Sequence, residues 1–270
     1  MVMPLGDEHP TRIVPWVNYG LIATNILVFL IQASQPETFT VAFAATPFEI
    51  TRGVDLDEPV ELVVQGVTTD LLGRPWIVER KEQIPQGPVP FPIWMTLLTA
   101  MFLHGGLLHL AGNMLYLWIF GDNVEEALGH GRYLAVYLLC GLMASLAHIA
   151  VAPSSLVPSL GASGAIAGVM GMYLVWFPHN RVWVLLIRTI VSLPAALVIG
   201  LWIVMQLVLG MGQLSSAGAG GGVAYAAHIG GAAAGIFIGL NYRRRAEDSG
   251  ENPLTVGWAS APHRPGRGLR

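Results

Sequence analysis

Six apolar runs dominate this chain, and runs of that length leave few folds open. A helix needs about 20 apolar residues to cross a hydrocarbon core of about 30 Å. Backbone groups facing lipid must be bonded within their own segment, so such runs fold as spanning helices of one bundle. They fall at about residues 17–31, 94–120, 133–151, 160–177, 193–211 and 223–242, the start of the second lying at the interface. Charged residues make up only 11% of the chain and hydrophobic ones 53%, where soluble domains carry about 25% charge. The predicted fold class is all-α, a polytopic six-helix membrane domain over residues 17–242. Residues 1–16 form a short leading segment, and the Gly-, Pro- and Ser-containing tail at 243–270 reads as disordered. No small-residue cleavage site follows the first run, which is read as a retained helix and not a signal peptide.

Basic residues set the expected orientation, because short loops rich in Lys and Arg stay cytoplasmic. Arg132 follows the second run, Arg181 and Arg188 the fourth, and Arg243, Arg244 and Arg245 the sixth, whereas 152–159 and 212–222 carry none. Both termini are therefore expected in the cytoplasm, with the second, fourth and sixth helices running inward. The connection at 33–92 then lies outside; it holds most of the acidic residues, with short strands expected at 61–64 and 76–78. This topology and the missing transit peptide favour a bacterial plasma membrane. The net charge of −3 gives no sign of a nucleic-acid partner. Cys140 is the single cysteine, so no disulfide forms within the chain, and no cofactor or metal is implied.

Polar side chains inside apolar helices are expensive and mark candidate sites. Here they are His109 and Asn113 in the second run, His148 in the third, Ser163 near the start of the fourth and His228 in the sixth. At 1.5 Å per residue, Ser163 lies about 22 Å from Pro178 and His228 about 21 Å from Tyr242, which puts the two at one depth. His109 and Asn113 share a helix face one turn apart, a spacing that lets two donors grip an anionic oxygen. A serine hydroxyl needs a base to become a nucleophile, and a neutral imidazole serves. Gly161, Gly164, Gly168 and Gly171 mark the fourth run, and Gly231, Gly235 and Gly239 recur every four residues in the sixth. Small residues so spaced let membrane helices meet backbone to backbone, which would bring Ser163 beside His228. The same residues also suit plainer roles: Ser163 as a packing residue, each histidine as a proton relay or buried bonding partner, Asn113 as interhelical glue.

Three stretches carry a resemblance to a known family. His104 to Asn113, Gly161-Ala-Ser163-Gly164, and Ala227-His228-Ile229-Gly230-Gly231 resemble, in order, motifs of the rhomboid intramembrane serine proteases. The likeness covers about 93–242, with the first run a looser match. It implies a six-helix rhomboid-like bundle and an endopeptidase that cuts membrane-anchored proteins within or near their transmembrane segments. Ser163 would be the nucleophile, His228 the base and later the acid, with no acidic third member; His109, Asn113 and the Ser163 amide would hold the oxyanion. Transmembrane proteins would be the substrates and the lipid bilayer the medium. His104 resembles a histidine that braces the loop before the second helix, and Glu125 an acidic helix-end anchor. Ala167 departs from the pattern, since many relatives carry there an aromatic that stacks on the histidine. His148 has no counterpart and reads as a core histidine. The alternative is a catalytically inactive rhomboid-like protein that binds membrane clients; a transporter reading lacks intramembrane carboxylates and a visible repeat.

Overall fold

A computed structural model of the chain describes residues 2–9, 11–69, 74–215 and 225–248. Each apolar run is helical, five of them as a single helix, although not with the predicted ends. The first gives α1 (Trp16–Ala33). Two short helices follow, α2 (Glu37–Phe43) and α3 (Pro47–Arg52). The long connection then forms a hairpin of β2 (Val60–Thr69) and β3 (Pro75–Ile84), longer than the two strands expected there. Ahead of α1, the leading segment, for which no element was predicted, contains a strand, β1 (Val2–Asp7).

The second run is not one helix. Short turns of 3₁₀ helix, Ile93–Met95 and Ala100–Phe102, flank α4 (Thr96–Thr99), and after a break the chain resumes as α5 (Leu107–Leu128). The two halves bend by 79°. Glycines 105 and 106 occupy the break and give it the permissive backbone it needs. Past Gly121 the helix continues for seven residues, where Asp7 accepts from Asn123 and the amide of Asn18 donates to Glu125. The remaining runs give α6 (His130–Val151), α7 (Ser163–Trp176), α8 (Ala195–Ser215) and α9 (Tyr225–Asp248). The last extends beyond the predicted span end at Tyr242 into the segment expected to be disordered; residues 249–270 of that expectation lie outside the described residues.

Helices make up most of the described chain, but the strict all-α expectation is corrected by two small antiparallel sheets. Between α7 and α8 the chain forms β4 (Arg181–Leu186) and β5 (Thr189–Pro194), where a basic connection was expected. Val182 and Val184 point inward and are fully buried, the period-two pattern of a half-buried strand. β1 pairs with β4 to complete a three-stranded sheet in the order β1-β4-β5. Among the described residues, α1 and α6 are each long and apolar enough to cross a membrane alone, and the bent pair qualifies as one further span. α7 and the apolar part of α8 are shorter.

α7 lies at the centre. Every residue from Gly164 to Tyr173 is buried, so this helix is apolar all round, as a helix enclosed by others must be. α9 packs against it through glycine. A Cβ at Gly231 would stand 2.0 Å from the Gly164 carbonyl oxygen, and one at Gly235 would stand 1.9 Å from that of Gly168. Real side chains never come so close, so the two backbones touch only because these positions are glycine. On α1, by contrast, the buried residues are Asn18, Leu21 and Asn25, the polar ones facing the bundle. Asn18 donates to the Leu117 carbonyl at 3.1 Å and accepts from the Tyr133 hydroxyl at 2.8 Å. Fully buried Glu125 accepts the first-turn amides of Val17 and Asn18 at 3.0 and 2.7 Å and pairs with His130. A carboxylate at a helix N-terminus is favoured by the helix dipole, so Glu125 fixes the start of α1 on the end of α5.

Candidate active site

Ser163 is the first residue of α7, with Ala162 as its cap. Its amide is one of the first-turn N–H groups without an acceptor inside the helix, and that end carries positive dipole. The turn before it is fixed by Gly161, whose amide donates to the Ala100 carbonyl at 2.8 Å. Gly161 has φ +125°, a conformation L side chains rarely adopt. It also has no room for one, since a Cβ there would stand 2.9 Å from His109 Cε1 and 3.6 Å from Ser163 Oγ. The His109 ring and the Ser163 hydroxyl therefore converge on the same glycine.

The α7–α9 contact places His228 within reach. Ser163 Oγ and His228 Nε2 are 2.7 Å apart, so the hydroxyl donates to the ring when Nε2 carries no proton. On the other side of the ring, Nδ1 is 2.8 Å from Oε1 of Gln206, an amide of α8 that is only 4% exposed. Because an amide oxygen only accepts, this bond puts the proton on Nδ1 and leaves Nε2 free to take one from serine. The Trp202 ring lies against His228, with centroids 5.7 Å apart. Trp202 and Gln206 are four residues apart on α8 and present one face to His228.

His109 Nδ1 accepts the Gly105 amide at 3.3 Å, which leaves Nε2–H as a donor on the Gly161 side. Asn113, one turn further along α5, is 9% exposed, and its Nδ2 is a buried donor with no protein partner. Such an orphan costs free energy unless a ligand completes it. His104 is fully buried with its ring edge against His109, the centroids 5.2 Å apart. The loop is gripped through the His104 backbone instead, whose amide and carbonyl bond the Gln32 side chain of α1 at 3.1 and 2.7 Å. His148 is only partly buried on α6, unlike the core histidine expected. Beside Ser163 lies a cavity of about 30 Å³ whose walls include Gly141, Ala144, Ser145 and Ala227.

Residues 92–245 match the Rhomboid domain, more than half of the chain. The chain belongs to the rhomboid family. Its relatives include the rhomboid protease GluP of Bacillus subtilis, 46% identical over 88 residues that make up 33% of this chain and 17% of that protein. The mitochondrial rhomboid protein 1 of Saccharomyces cerevisiae is 29% identical over 164 residues, 59% of this chain and 45% of that one. RHOMBOID-like protein 5 of Arabidopsis thaliana is 32% identical over 160 residues, 59% of this chain and 48% of the relative. The chain thus spans less than half the length of each of these curated relatives. Rhomboids are helical integral membrane proteins, in keeping with the apolar helices of this one. Against the family pattern, Ala167 supplies no ring, and Trp202 of α8 stands beside the histidine in its place. Gln206 and Trp202 escaped the sequence reading, although Gln206 is the one amide in the run at 193–211 and that alone marks it.

Proposed function

We propose that this rhomboid is an intramembrane serine endopeptidase acting through Ser163 and His228 on membrane-anchored proteins. The observation that carries the reading is the 2.7 Å contact between Ser163 Oγ and His228 Nε2 at the N-terminus of the central helix. As Oγ attacks the scissile carbonyl carbon, its proton passes to Nε2. The carbonyl oxygen, now negative, is held by His109 Nε2–H, Asn113 Nδ2–H and the Ser163 amide. Collapse breaks the C–N bond, and His228 returns the proton to the leaving amine. Water then attacks the acyl-enzyme, giving its proton to His228 and restoring Ser163 as the acid departs.

The six helices act as six spans in this reading, both termini cytoplasmic, in a bacterial plasma membrane. At 14 residues, α7 covers about 21 Å, roughly 10 Å less than the hydrocarbon core. With its Trp176 end at the inner interface, Ser163 lies below the outer surface, and water reaches it past the break before α5. The Ser163 cavity of about 30 Å³ is only a few times the roughly 10–15 Å³ that one water requires. A space of that size favours a small side chain over an aromatic one.

The test is cleavage of a model transmembrane substrate in liposomes. Ser163→Ala should abolish it, and a substrate with alanine at the cleaved position should be cut where one with phenylalanine is not. Full cleavage by the Ser163→Ala protein would refute the assignment; absence of cleavage by the parent across substrates would favour a client-binding rhomboid.

A further inference from the structure

A buried amide on the largely exposed second half of an apolar helix is unusual, and Gln206 is one. From 200 to 211 it is the single buried residue of α8, while Leu201, Val204, Met205, Val208 and Met211 are exposed. An amide gains nothing from lipid and is retained in a membrane helix where it makes a specific bond. The bond it makes is to His228 Nδ1, at 2.8 Å. One turn earlier, the Trp202 ring flanks the imidazole and limits its rotation.

We propose that Gln206 is a positioning residue that fixes the tautomer and plane of His228, so that the seating of α8 on α9 is a condition for turnover; this rests on the Ser163 and His228 reading above. An imidazole without an acceptor at Nδ1 is free to carry its proton on Nε2. In that tautomer it cannot accept from Ser163, and the hydroxyl loses its base. With its oxygen and not its NH2 turned toward the ring, Gln206 disfavours this tautomer, because that oxygen only accepts. It takes the place that a carboxylate holds in three-membered serine sites, at lower electrostatic cost in a medium that penalises charge. The third partner of the histidine thus comes from a different helix than the dyad. Displacing α8 from α9 withdraws both the oxygen and the indole from His228, leaving Ser163 in place but unactivated.

The experiment compares the full-length protein in detergent and in liposomes with Gln206→Met, which keeps length without a strong acceptor, and Gln206→Glu, which keeps an acceptor oxygen. Loss of one oriented hydrogen bond should lower kcat by at least about tenfold in the Met variant. KM should stay within about twofold, because the change acts on chemistry and not on substrate binding. Labelling of Ser163 by a fluorophosphonate should slow in parallel, and the Glu variant should recover most of both rates. Parent-like kcat in the Met variant, or a defect confined to KM, would overturn the proposal; so would a Glu variant as impaired as the Met variant. If Gln206→Met does not fold, Gln206→Leu replaces it and the same outcomes decide. Ser163→Ala, run alongside, separates the two claims: activity surviving in it refutes the serine reading, whereas its loss together with an unaffected Gln206→Met refutes only the role of Gln206.

Discussion

Gly161 shows how one residue sets the chemistry of its neighbours. Its positive φ and its contact with the His109 ring both exclude a side chain, and the same turn aims Ser163 Oγ at His228. Gly161→Ala should therefore destabilise the fold by about 1–3 kcal/mol. It should also abolish cleavage, because a shifted His109 no longer meets the oxyanion; thermal unfolding in detergent together with kcat will show it, and a fully active variant would contradict it. Ser163, His228, His109 and Asn113 were legible because a polar group in an apolar run stands out against its surroundings. Asn18 and Asn25 stand out by the same criterion, yet Asn18 anchors α1 to its neighbours, while the Asn25 amide donates to the Leu21 carbonyl of its own helix. Polarity in a span therefore marks an inward face, and only geometry divides structure from chemistry. Gln206 was missed for a related reason: an uncharged amide costs less than an ionisable group, and its meaning depends on a histidine 22 positions away.

Helices were easier to read than their ends or breaks. The run at 94–120 is apolar throughout, and hydropathy cannot register that the chain turns by 79° where Gly105 and Gly106 interrupt it. β4 alternates exposed and buried residues only over 181–184 and β5 shows no alternation, so neither stood out against the expectation of a basic connection. Spacing of small residues was a better guide. Gly231 and Gly235 on α9 meet the carbonyls of Gly164 and Gly168 on α7, and this contact sets the separation of the helices that carry Ser163 and His228. Gly235→Ala places a methyl where only 1.9 Å is available, so the helices must part or the protein must lose roughly 1–3 kcal/mol. The expected result is a lower unfolding temperature and a loss of Ser163 labelling by a fluorophosphonate, greater than for Gly20→Ala, where a Cβ meets open space. Equal behaviour of the two variants would show that α7 and α9 tolerate separation.

Across the whole molecule, the leading strand ties distant segments together. Asp7 at the end of β1 accepts from Asn123 of α5 at 2.9 Å and from the Tyr173 hydroxyl of α7 at 2.6 Å. Burial raises the Asp7 carboxyl above its ordinary value; the bonds from Tyr173 and Asn123 and the nearby His9 oppose this without cancelling it, and Asp122 is close by. A carboxyl raised on folding stabilises the fold fully below its unfolded value, and that contribution is lost as pH climbs through the folded one. The unfolding temperature should thus fall as pH rises from about 4, with a shallower fall in Asp7→Asn, since the unfolded reference sits near 3.9. Matching slopes for the two proteins would remove Asp7 from the account. Such a tie could not be read from residues 1–16, because its partners are more than a hundred positions away.

That distance also orders biogenesis. Val2 to Asp7 pair with strand residues 182–186, which a ribosome makes only after α1, α5, α6 and α7. Until then the strand has no edge to join and the carboxylate no hydroxyl to accept from. The segment synthesised before the helices is consequently among the last to lock, and a tag placed directly on β1 would delay maturation more than one placed beyond α9.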